Sequence, residues 1–372
     1  MDVLCVGHAA WDISVFTAGY PAENSKLEIH TMIECGGGPA ANAAFLLSRW
    51  GAAAAFAGVV GTDAYGERIA REFSDAGTDI TLMRRHDGDV TPVSVILVNE
   101  QNGSRTIINR KAPRAGAPLR LARVTELSPT TCSPHPDPLP SQARGEGNQP
   151  QSRTSAQKGV PHSGAEGFSL SPQQRGEGRG EGPWQPNDSS FVSAPAWPQP
   201  PRVLLFDGHE PEASLEAMKL FPQAKSILDA GSLRDGTREL ARRVDYVVAS
   251  ERFARELGNL PDLESVENQD AAVAALHRRN GKPVVITCGE RGLLHGTAGR
   301  VERLPAFPVK ACDTTAAGDI FHGAFAYGVL AGLPWVETLR LASATAALSV
   351  AARGGRTSIP TLAQVKEMLR HA

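Results

Sequence analysis

The stretch that decides the fold is Cys312-Asp313-Thr314-Thr315-Ala316-Ala317-Gly318-Asp319-Ile320-Phe321. Its polar start and apolar continuation predict a loop that opens into a helix over 316–332. The small residues at 316–318 let a ligand approach the backbone, and free N–H groups at a helix N-terminus attract negative charge. We therefore expect Ala316, Ala317 and Gly318 to form an anion-binding site.

Asp319 follows in the first turn of the same predicted helix. A carboxylate at this position can simply complement the helix dipole. Beside an anion site, however, it would repel the bound anion unless it accepts a proton from a hydroxyl that attacks phosphorus. The pattern leaves both interpretations open, and the remaining motifs bear on the choice.

Strand-like and helix-like segments alternate along most of the chain. This order predicts right-handed crossovers and a mostly parallel sheet with helices on both faces, an α/β fold. The predicted strands are 2–7, 54–60, 202–207, 225–229, 244–248 and 283–287. The predicted helices are 39–50, 64–76, 211–221, 236–243, 269–280, 316–332, 335–352 and 361–370.

Two segments interrupt this alternation. Residues 13–34 and 91–110 show the period of half-exposed strands and have no helix of their own. We expect them to form a small antiparallel sheet that projects from the main layer as a lid over a cleft.

Glycines follow two of the predicted strands. The segment Thr287–Gly292 permits a tight turn and close approach of a nucleotide phosphate, although ordinary strand connections also carry glycine. Gly36-Gly37-Gly38 leads into a helix with Pro39 at its first position and Asn42 one turn later. Asn42 can present its amide to a ligand or face solvent.

Asp12 follows the first strand, in the region where parallel sheets bind ligands. There it can accept hydrogen bonds from two vicinal sugar hydroxyls, or it can be a turn aspartate.

Residues 128–200 differ from the rest of the sequence. They hold about half of the chain's prolines, lack apolar periodicity, and repeat a motif, near Pro138–Gly147 and again near Leu170–Gly178. Such a segment cannot bury enough apolar surface to offset its ordering entropy, so we expect a disordered insertion. The remainder, 1–127 and 201–372, is of a size for one α/β domain and is predicted to form one.

Composition excludes several classes of protein. The formal net charge of −2 favours neither nucleic acid nor an anionic membrane, and no apolar run is long enough to span a bilayer. The five cysteines are scattered, with no CxxC pair, which is typical of reduced thiols. Residues 1–7 read as a strand without a basic segment before an apolar one, and we expect a cytoplasmic protein.

The sequence resembles the ribokinase-like, or PfkB-type, carbohydrate kinases. Its short local segments are most similar to those of ketohexokinases and sulfofructose kinases. The two glycine-rich signatures, Gly36–Ala44 and Asp313–Asp319, occur in the family's order, and the likeness spans the chain apart from 128–200. The resemblance implies a ribokinase-like fold with a small β-sheet lid, which often also joins two copies in a homodimer. It also implies ATP-dependent phosphorylation of a small sugar with ATP, Mg²⁺ and a monovalent cation such as K⁺.

The resemblance assigns roles residue by residue. It makes Asp319 the catalytic base beside an anion hole at 316–318. The sugar contacts are Asp12, Gly37, Gly38 and Asn42; the nucleotide contacts are Thr287, Gly289 and Gly292; the monovalent-cation ligands are Asp313 and Thr315, with Gly354 and Ser358 as companions.

The sequence departs from the family at its Asn-x-x-Glu element, which reads Ser250-Glu251-Arg252-Phe253. Ser250 stands at the nucleotide side of this element. The sequence leaves the Mg²⁺ ligands open, with Glu251 and Asp229 as two carboxylates that could substitute.

Lys26 and Asn109 stand where sulfofructose kinases hold a sulfonate, but the further arginine of that subclass is replaced by the His209 region. We therefore expect a neutral ketose or related furanose first and an anionic sugar second. The sequence is also compatible with a nucleoside kinase or with a catalytically weak sugar sensor.

Overall fold

The computed structural model describes residues 1–86, 88–111, 118–123, 191–194, 197 and 199–371. The chain divides into two compact units. The first unit consists of Met1–Leu127 and Asp188–Ala372 and contains every described residue, whereas Ser128–Asn187 lies outside them.

The centre of the first unit is a nine-stranded sheet. Numbered along the chain, its strands lie in the order β15-β14-β13-β12-β11-β10-β1-β4-β5. The seven strands from β13 to β5 are parallel, and β14 and β15 are antiparallel additions at one edge. The predicted α/β fold with a mostly parallel sheet is confirmed. The strands are β1 Val3–Val6, β4 Ala54–Gly61, β5 Met83–His86, β10 Val203–Phe206, β11 Lys225–Ala230, β12 Tyr246–Ser250, β13 Val284–Thr287, β14 Leu293–Thr297 and β15 Arg300–Leu304.

Helices cover both faces of this sheet because its alternate side chains are apolar on both sides. One face packs against α1 Pro39–Arg49, α2 Ala64–Ala76, α7 Ala317–Leu330, α8 Trp335–Val350 and α9 Leu362–Arg370. The other packs against α3 Pro211–Leu220, α4 Asp235–Leu240, α5 Glu251–Gly258 and α6 Val266–Asn280. In β1, Val3 and Cys5 face the first layer, and Leu4 and Val6 face the second.

A separate four-stranded sheet forms the predicted lid. Its strands are β2 Ala10–Thr17, β3 Met32–Gly37, β6 Val93–Asn99 and β7 Arg105–Arg110, in the order β3-β2-β6-β7. The expectation of an antiparallel sheet is wrong for the central pair, because β2 and β6 are parallel. Between these strands the chain passes through the main sheet and returns in the same direction, which a hairpin does not do.

Most of the predicted insertion 128–200 lies outside the described residues. Its last part contains β9, Phe191–Ala194, which pairs in parallel with β8, Arg120–Arg123. This strand belongs to the first unit, and the boundary of the insertion at 200 stays a prediction. The indole of Trp197 also donates to the carboxylate of Asp79 at 3.1 Å, which attaches this end of the segment to the first unit.

Helix α5 packs on the nine-stranded sheet, but the sequence pattern did not predict it. Its eight residues are too few for a clear helical period, and it begins directly after β12. Ser250 caps it by accepting a hydrogen bond from Phe253 N at 3.0 Å. Among the described residues, no helix has the length and apolarity needed to cross a bilayer.

We predict that Phe56→Ala destabilises the first unit strongly. Phe56 is fully buried in β4, and its ring stacks on Phe73 of α2 with centroids 5.1 Å apart. Loss of this ring leaves a cavity and should lower the free energy of unfolding by about 3–5 kcal/mol, measured by urea titration. Ile108→Ala, at a position 58% exposed, is the control and should cost less than about 0.5 kcal/mol. Equal losses in the two variants would contradict the assigned core.

Candidate active site

A cavity of about 610 Å³ opens at the carboxyl ends of the central strands, beneath the lid. This is the edge where open parallel sheets bind ligands. Of the residues predicted from sequence, the cavity wall contains Asp12, Gly38, Asn109, Asp229, Thr315, Ala316 and Asp319. Gly37, Asn42, Ala317 and Gly318 are not part of it. It also contains residues that sequence reasoning did not assign, among them His8, Arg105, Asp207 and Arg234.

The mouth of α7 borders this cavity. Ala316 is the N-cap residue in a left-handed conformation, with φ 59°, and no side chain of the described residues caps the helix. Gly318 is exposed, and nothing lies within 4 Å of the position that a Cβ atom would occupy there. The amide of Ala317 turns back to Thr314 O at 3.3 Å. The helix therefore offers an open, uncapped N-terminus, although the Ala317 amide is partly engaged.

Asp319 lies half-buried in the first turn of α7 and lines the cavity. Its Oδ2 accepts a hydrogen bond from Asn42 Nδ2 at 2.8 Å. Burial, and next the negative charge of Asp229, raise the pKa of Asp319 to about 7, against the opposing effect of the Asn42 hydrogen bond. A carboxyl with this pKa can hold or release a proton near neutral pH.

Asp12 lies on β2, where the lid meets the cavity, and is 7% exposed. Burial raises its pKa to about 6, against a hydrogen bond with Ser94 and the positive charge of Arg356. A Cβ atom at residue 37 would lie 2.0 Å from Asp12 Oδ2, so only glycine leaves room for this carboxylate. Gly38 has φ 99°, a conformation that glycine adopts at little cost.

The predicted nucleotide residues lie at the ends of the adjacent strands β12 and β13. Ser250 and Thr287 are paired in the register of these strands, and Gly289 and Gly292 have positive φ angles of 60° and 85°. None of the four lines the cavity as the structure describes it. Ser250 Oγ donates to Gly231 O at 2.8 Å, and Gly231 is part of the cavity wall. The four residues therefore flank the cavity rather than face it.

The predicted cation ligands Asp313 and Thr315 are both buried. The Asp313 carboxylate accepts hydrogen bonds from Thr315 N and Gly354 N, each at 2.8 Å. Thr315 Oγ1 is buried without a hydrogen-bond partner among the described residues. Ser358 Oγ donates to Gly355 O. Across the described ranges, no group of three or more His, Cys, Asp or Glu side chains could hold a metal ion.

The two predicted anion contacts differ in position. Asn109 lies on β7 and lines the cavity, whereas Lys26 is exposed in the segment between β2 and β3 and is not part of the cavity wall. The basic side chains that the structure does bring to the cavity include Arg105 and Arg234. Arg105 Nη1 donates to Thr314 Oγ1 at 2.8 Å, which connects the lid to the loop before α7.

Asp207, directly after β10, organises the floor of the cavity. Its Oδ2 accepts from His8 N at 2.8 Å and Ala40 N at 3.2 Å, and its Oδ1 accepts from His209 N at 2.9 Å. Burial alone would raise its pKa, but the charge of His209 and these N–H donors outweigh it and hold the pKa well below the usual range. Asp207 thus joins the ends of β1 and β10 to the start of α1.

Asp229, at the end of β11, is the second buried carboxylate on this floor. Burial and the negative charge of Asp207 raise its pKa to about 8. His322 Nδ1, one turn after Asp319, lies 3.1 Å from Asp229 Oδ2. Glu251, the other carboxylate suggested for Mg²⁺, instead pairs with Arg291 at 2.5 Å.

The sequence profile described as "pfkB family carbohydrate kinase" matches residues 1–118 and 204–362 of this chain. The chain belongs to the PfkB family of carbohydrate kinases.

Individual relatives agree with this family. The ribokinase of Haemophilus influenzae is 33% identical over 150 residues, which cover 40% of this chain and 48% of that protein. A fructokinase of Klebsiella pneumoniae is 25% identical over 348 residues, which cover 88% of this chain and 90% of that protein. The chain thus spans about half the length of the ribokinase that it matches.

Solved structures share the fold. The ribokinase of Arabidopsis thaliana complexed with ribose and ATP superposes with a TM-score of 0.66 at 21% identity, covering 100% of this chain and 99% of that one. The ribokinase of Thermotoga maritima gives a TM-score of 0.65 at 21% identity, covering 99% of both chains. The finer likeness to ketohexokinases and sulfofructose kinases stays a prediction.

We predict that Asp207→Asn destabilises the first unit by about 3 kcal/mol. The amide replaces one acceptor oxygen with a donor NH₂ group that faces a backbone N–H, and the buried charge is lost. Urea titration measures the change. Asp2→Asn is the matched control, since Asp2 Oδ2 also accepts a backbone hydrogen bond, from Ala53 N at 2.9 Å, but near the surface. If both variants lost less than about 1 kcal/mol, Asp207 would not organise the cavity floor.

Proposed function

We propose that this chain transfers the γ-phosphoryl group of ATP to a hydroxyl of a small sugar, with Asp319 as the general base. The observation that carries this proposal is the half-buried carboxylate of Asp319 at the uncapped mouth of α7, inside the cavity. Phosphoryl transfer requires mainly positioning and charge neutralisation, and this arrangement offers both.

The side chains divide the work as follows. Asp12 and Gly38 line the cavity and hold the sugar on its lid side. Gly37 leaves room for the Asp12 carboxylate, and the buried Asn42 acts through its hydrogen bond to Asp319. Asp319 accepts the proton of the attacking hydroxyl, and the amides at 316–318 stabilise the phosphoryl oxygens. The lid sheet covers the site and limits hydrolysis of ATP by water.

ATP approaches from the side of Thr287, Gly289, Gly292 and Ser250, where glycines with positive φ keep the backbone open.

Mg²⁺ would neutralise charge on the phosphates. Of the two carboxylates considered for this ion, Asp229 is the better candidate, because it lines the cavity whereas Glu251 pairs with Arg291. Asp313 and Thr315, with the unpartnered Oγ1 of Thr315, fit a monovalent cation such as K⁺ beside α7.

For the acceptor we propose a neutral ketose or furanose. Within the described residues, the cavity wall holds no Phe, Tyr or Trp side chain on which a nucleobase could stack, which disfavours a nucleoside kinase. An anionic sugar is the second candidate, because Arg105, Lys111 and Arg234 line the cavity and pair with no carboxylate among the described residues within 4 Å.

The proposal is tested by ADP release from the purified full chain with ATP, Mg²⁺ and a panel of sugars. The panel contains neutral ketoses and pentoses, sugars with a phosphate or sulfonate group, and nucleosides. Turnover with a neutral sugar supports the first candidate, and turnover only with charged sugars supports the second. Binding of sugar without ADP release across the panel would instead support a sugar sensor and reject the kinase.

We predict that Asp319→Asn lowers kcat by about 10²–10⁴-fold, the usual loss when a general base is removed. Binding of a non-hydrolysable ATP analogue, measured by calorimetry, should persist because the helix amides remain. Asp270→Asn removes a carboxylate whose side chain is 55% exposed and should leave kcat unchanged. Near-normal turnover of Asp319→Asn would eliminate its proposed role.

We also predict that kcat/KM of the unchanged chain rises with pH through a midpoint near 7. The pKa of Asp319 is raised to about 7, and the base must be deprotonated to accept a proton, so activity is lost as pH falls below that value. The pH–rate profile measures the midpoint. A profile that is flat from pH 5.5 to 8.5 would contradict the assignment of Asp319 as the titrating base.

A further inference from the structure

A chain of hydrogen bonds runs from α2 to Asp319. The sequence does not predict it, because no motif assigns a role to Glu72 or Arg356. Its first member is Glu72, whose Oε2 accepts from Arg356 Nη1 at 2.7 Å and from Gly36 N at 2.9 Å. Arg356 Nε then donates to Asn42 Oδ1 at 3.1 Å, and Asn42 Nδ2 donates to Asp319 Oδ2 at 2.8 Å. Four segments far apart in sequence thus meet behind the cavity.

Arg356 is held rigidly in this chain. It lies in a short 3₁₀ helix, Arg356–Ser358, and is 4% exposed. Its guanidinium carbon lies over the rings of Phe73 and Phe45, with distances to the ring centroids of 4.6 and 5.0 Å. Its Nη2 is buried without a hydrogen-bond partner among the described residues. Burial of an arginine costs free energy of folding unless its N–H groups make hydrogen bonds that an apolar side chain cannot make.

What Arg356 does is fix the orientation of the Asn42 amide. An asparagine side chain has a donor end and an acceptor end, and the two are nearly isosteric. A guanidinium can only donate, so Asn42 must turn Oδ1 toward Arg356 and Nδ2 toward Asp319. The carboxylate of Asp319 then receives one hydrogen bond on Oδ2, which leaves Oδ1 available for a substrate hydroxyl.

The same hydrogen bond also affects the pKa of Asp319. Burial and the negative charge of Asp229 on β11 raise that pKa. Donation from Asn42 opposes the rise because it favours the charged form, as do electrostatic interactions with His322 of α7 and Arg105 of β7. If the amide rotated, its oxygen would face the carboxylate and this stabilisation would be lost. The fraction of Asp319 that is ionised near neutral pH therefore depends on a residue that does not line the cavity.

We propose that Arg356, anchored by Glu72, is a positioning residue that locks the Asn42 amide and thereby aims Asp319 and keeps it ionised. The proposal rests on the proposed function only for its effect on turnover, since the orientation of the amide and the ionisation of Asp319 are properties of the chain without substrate.

The test titrates Asp319 directly. The full chain is labelled with carbon-13 at aspartate carboxyl groups, and the Asp319 signal is assigned by its loss in Asp319→Asn. In the unchanged chain its midpoint should lie near pH 7. In Arg356→Met it should rise by about one pH unit, the scale expected for loss of one hydrogen bond to a charged group. An unmoved midpoint would overturn the proposal, whether or not the chain is a kinase.

Turnover provides the second readout. With a midpoint that rises from about 7 to about 8, kcat/KM of Arg356→Met should fall by about eightfold at pH 6.5 and by less than about twofold at pH 9. A merely structural role for Arg356 predicts a loss that is the same at both pH values. Absence of any kinase activity in the unchanged chain would reject the proposed function, and the carboxyl titration would still decide the role of Arg356.

Two further variants separate positioning from packing. Arg68→Met is the matched control, because Arg68 also stacks on aromatic rings and pairs with a glutamate, Glu34 at 2.8 Å, but with a side chain 53% exposed. It should leave the Asp319 midpoint unchanged. Asn42→Ala should raise the midpoint as Arg356→Met does, and adding Arg356→Met to Asn42→Ala should raise it no further. Additive effects of the two changes would show that Arg356 does not act through Asn42.

Discussion

The rest of the site depends on one electrostatic constraint, the presence of a carboxylate at the mouth of a helix that, in the proposed reaction, also attracts phosphate. Asp319 and the amides of 316–318 occupy the same turn, so the charge of the carboxylate has to be controlled. Burial and the neighbouring Asp229 raise its pKa to about 7, and the hydrogen bond from Asn42 limits the rise. A base with a pKa near the working pH is the most effective one, which is the balance that the proposed reaction requires.

Glycines provide the space for the other buried carboxylates. A Cβ atom at residue 7 would lie 2.1 Å from Asp207 Oδ1, and one at residue 37 would lie 2.0 Å from Asp12 Oδ2. The glycines near the N-terminus therefore do more than open a path for a ligand, because they let acidic side chains from other strands reach the cavity floor. Asp207 uses this space to bind the amides of His8 and Ala40, which fixes the start of α1 relative to β1.

The sequence allowed the alternating layers and the turn at Asp319 to be predicted, because both depend on local patterns of apolar and small residues. Arg356, Asp207 and Arg234 were not assigned, since each acts through partners far away in sequence: Arg356 Nε reaches Asn42 and Asp207 Oδ2 reaches His8. In the segment 354–358, the family resemblance assigned only Gly354 and Ser358. The parallel pairing of β2 and β6 was missed for the same reason, as strand alternation does not reveal which strands are neighbours.

The side chains in the hydrogen-bond network behind Asp319 suit their positions because of which groups donate and which accept. A lysine at 356 would keep the positive charge, but it lacks the planar fork that donates to Glu72 and Asn42 at once. A glutamine at 356 could accept as well as donate, and the orientation of the Asn42 amide would no longer be determined. With a donor-only arginine on one side and an acceptor-only carboxylate on the other, asparagine has a single favourable orientation. The exposed end of the network is the acceptor Glu72, whose side chain is 27% exposed, while Arg356 is almost completely enclosed. Solvent can thus compensate the negative charge at Glu72, whereas the polarity of every inner hydrogen bond is fixed by the protein itself.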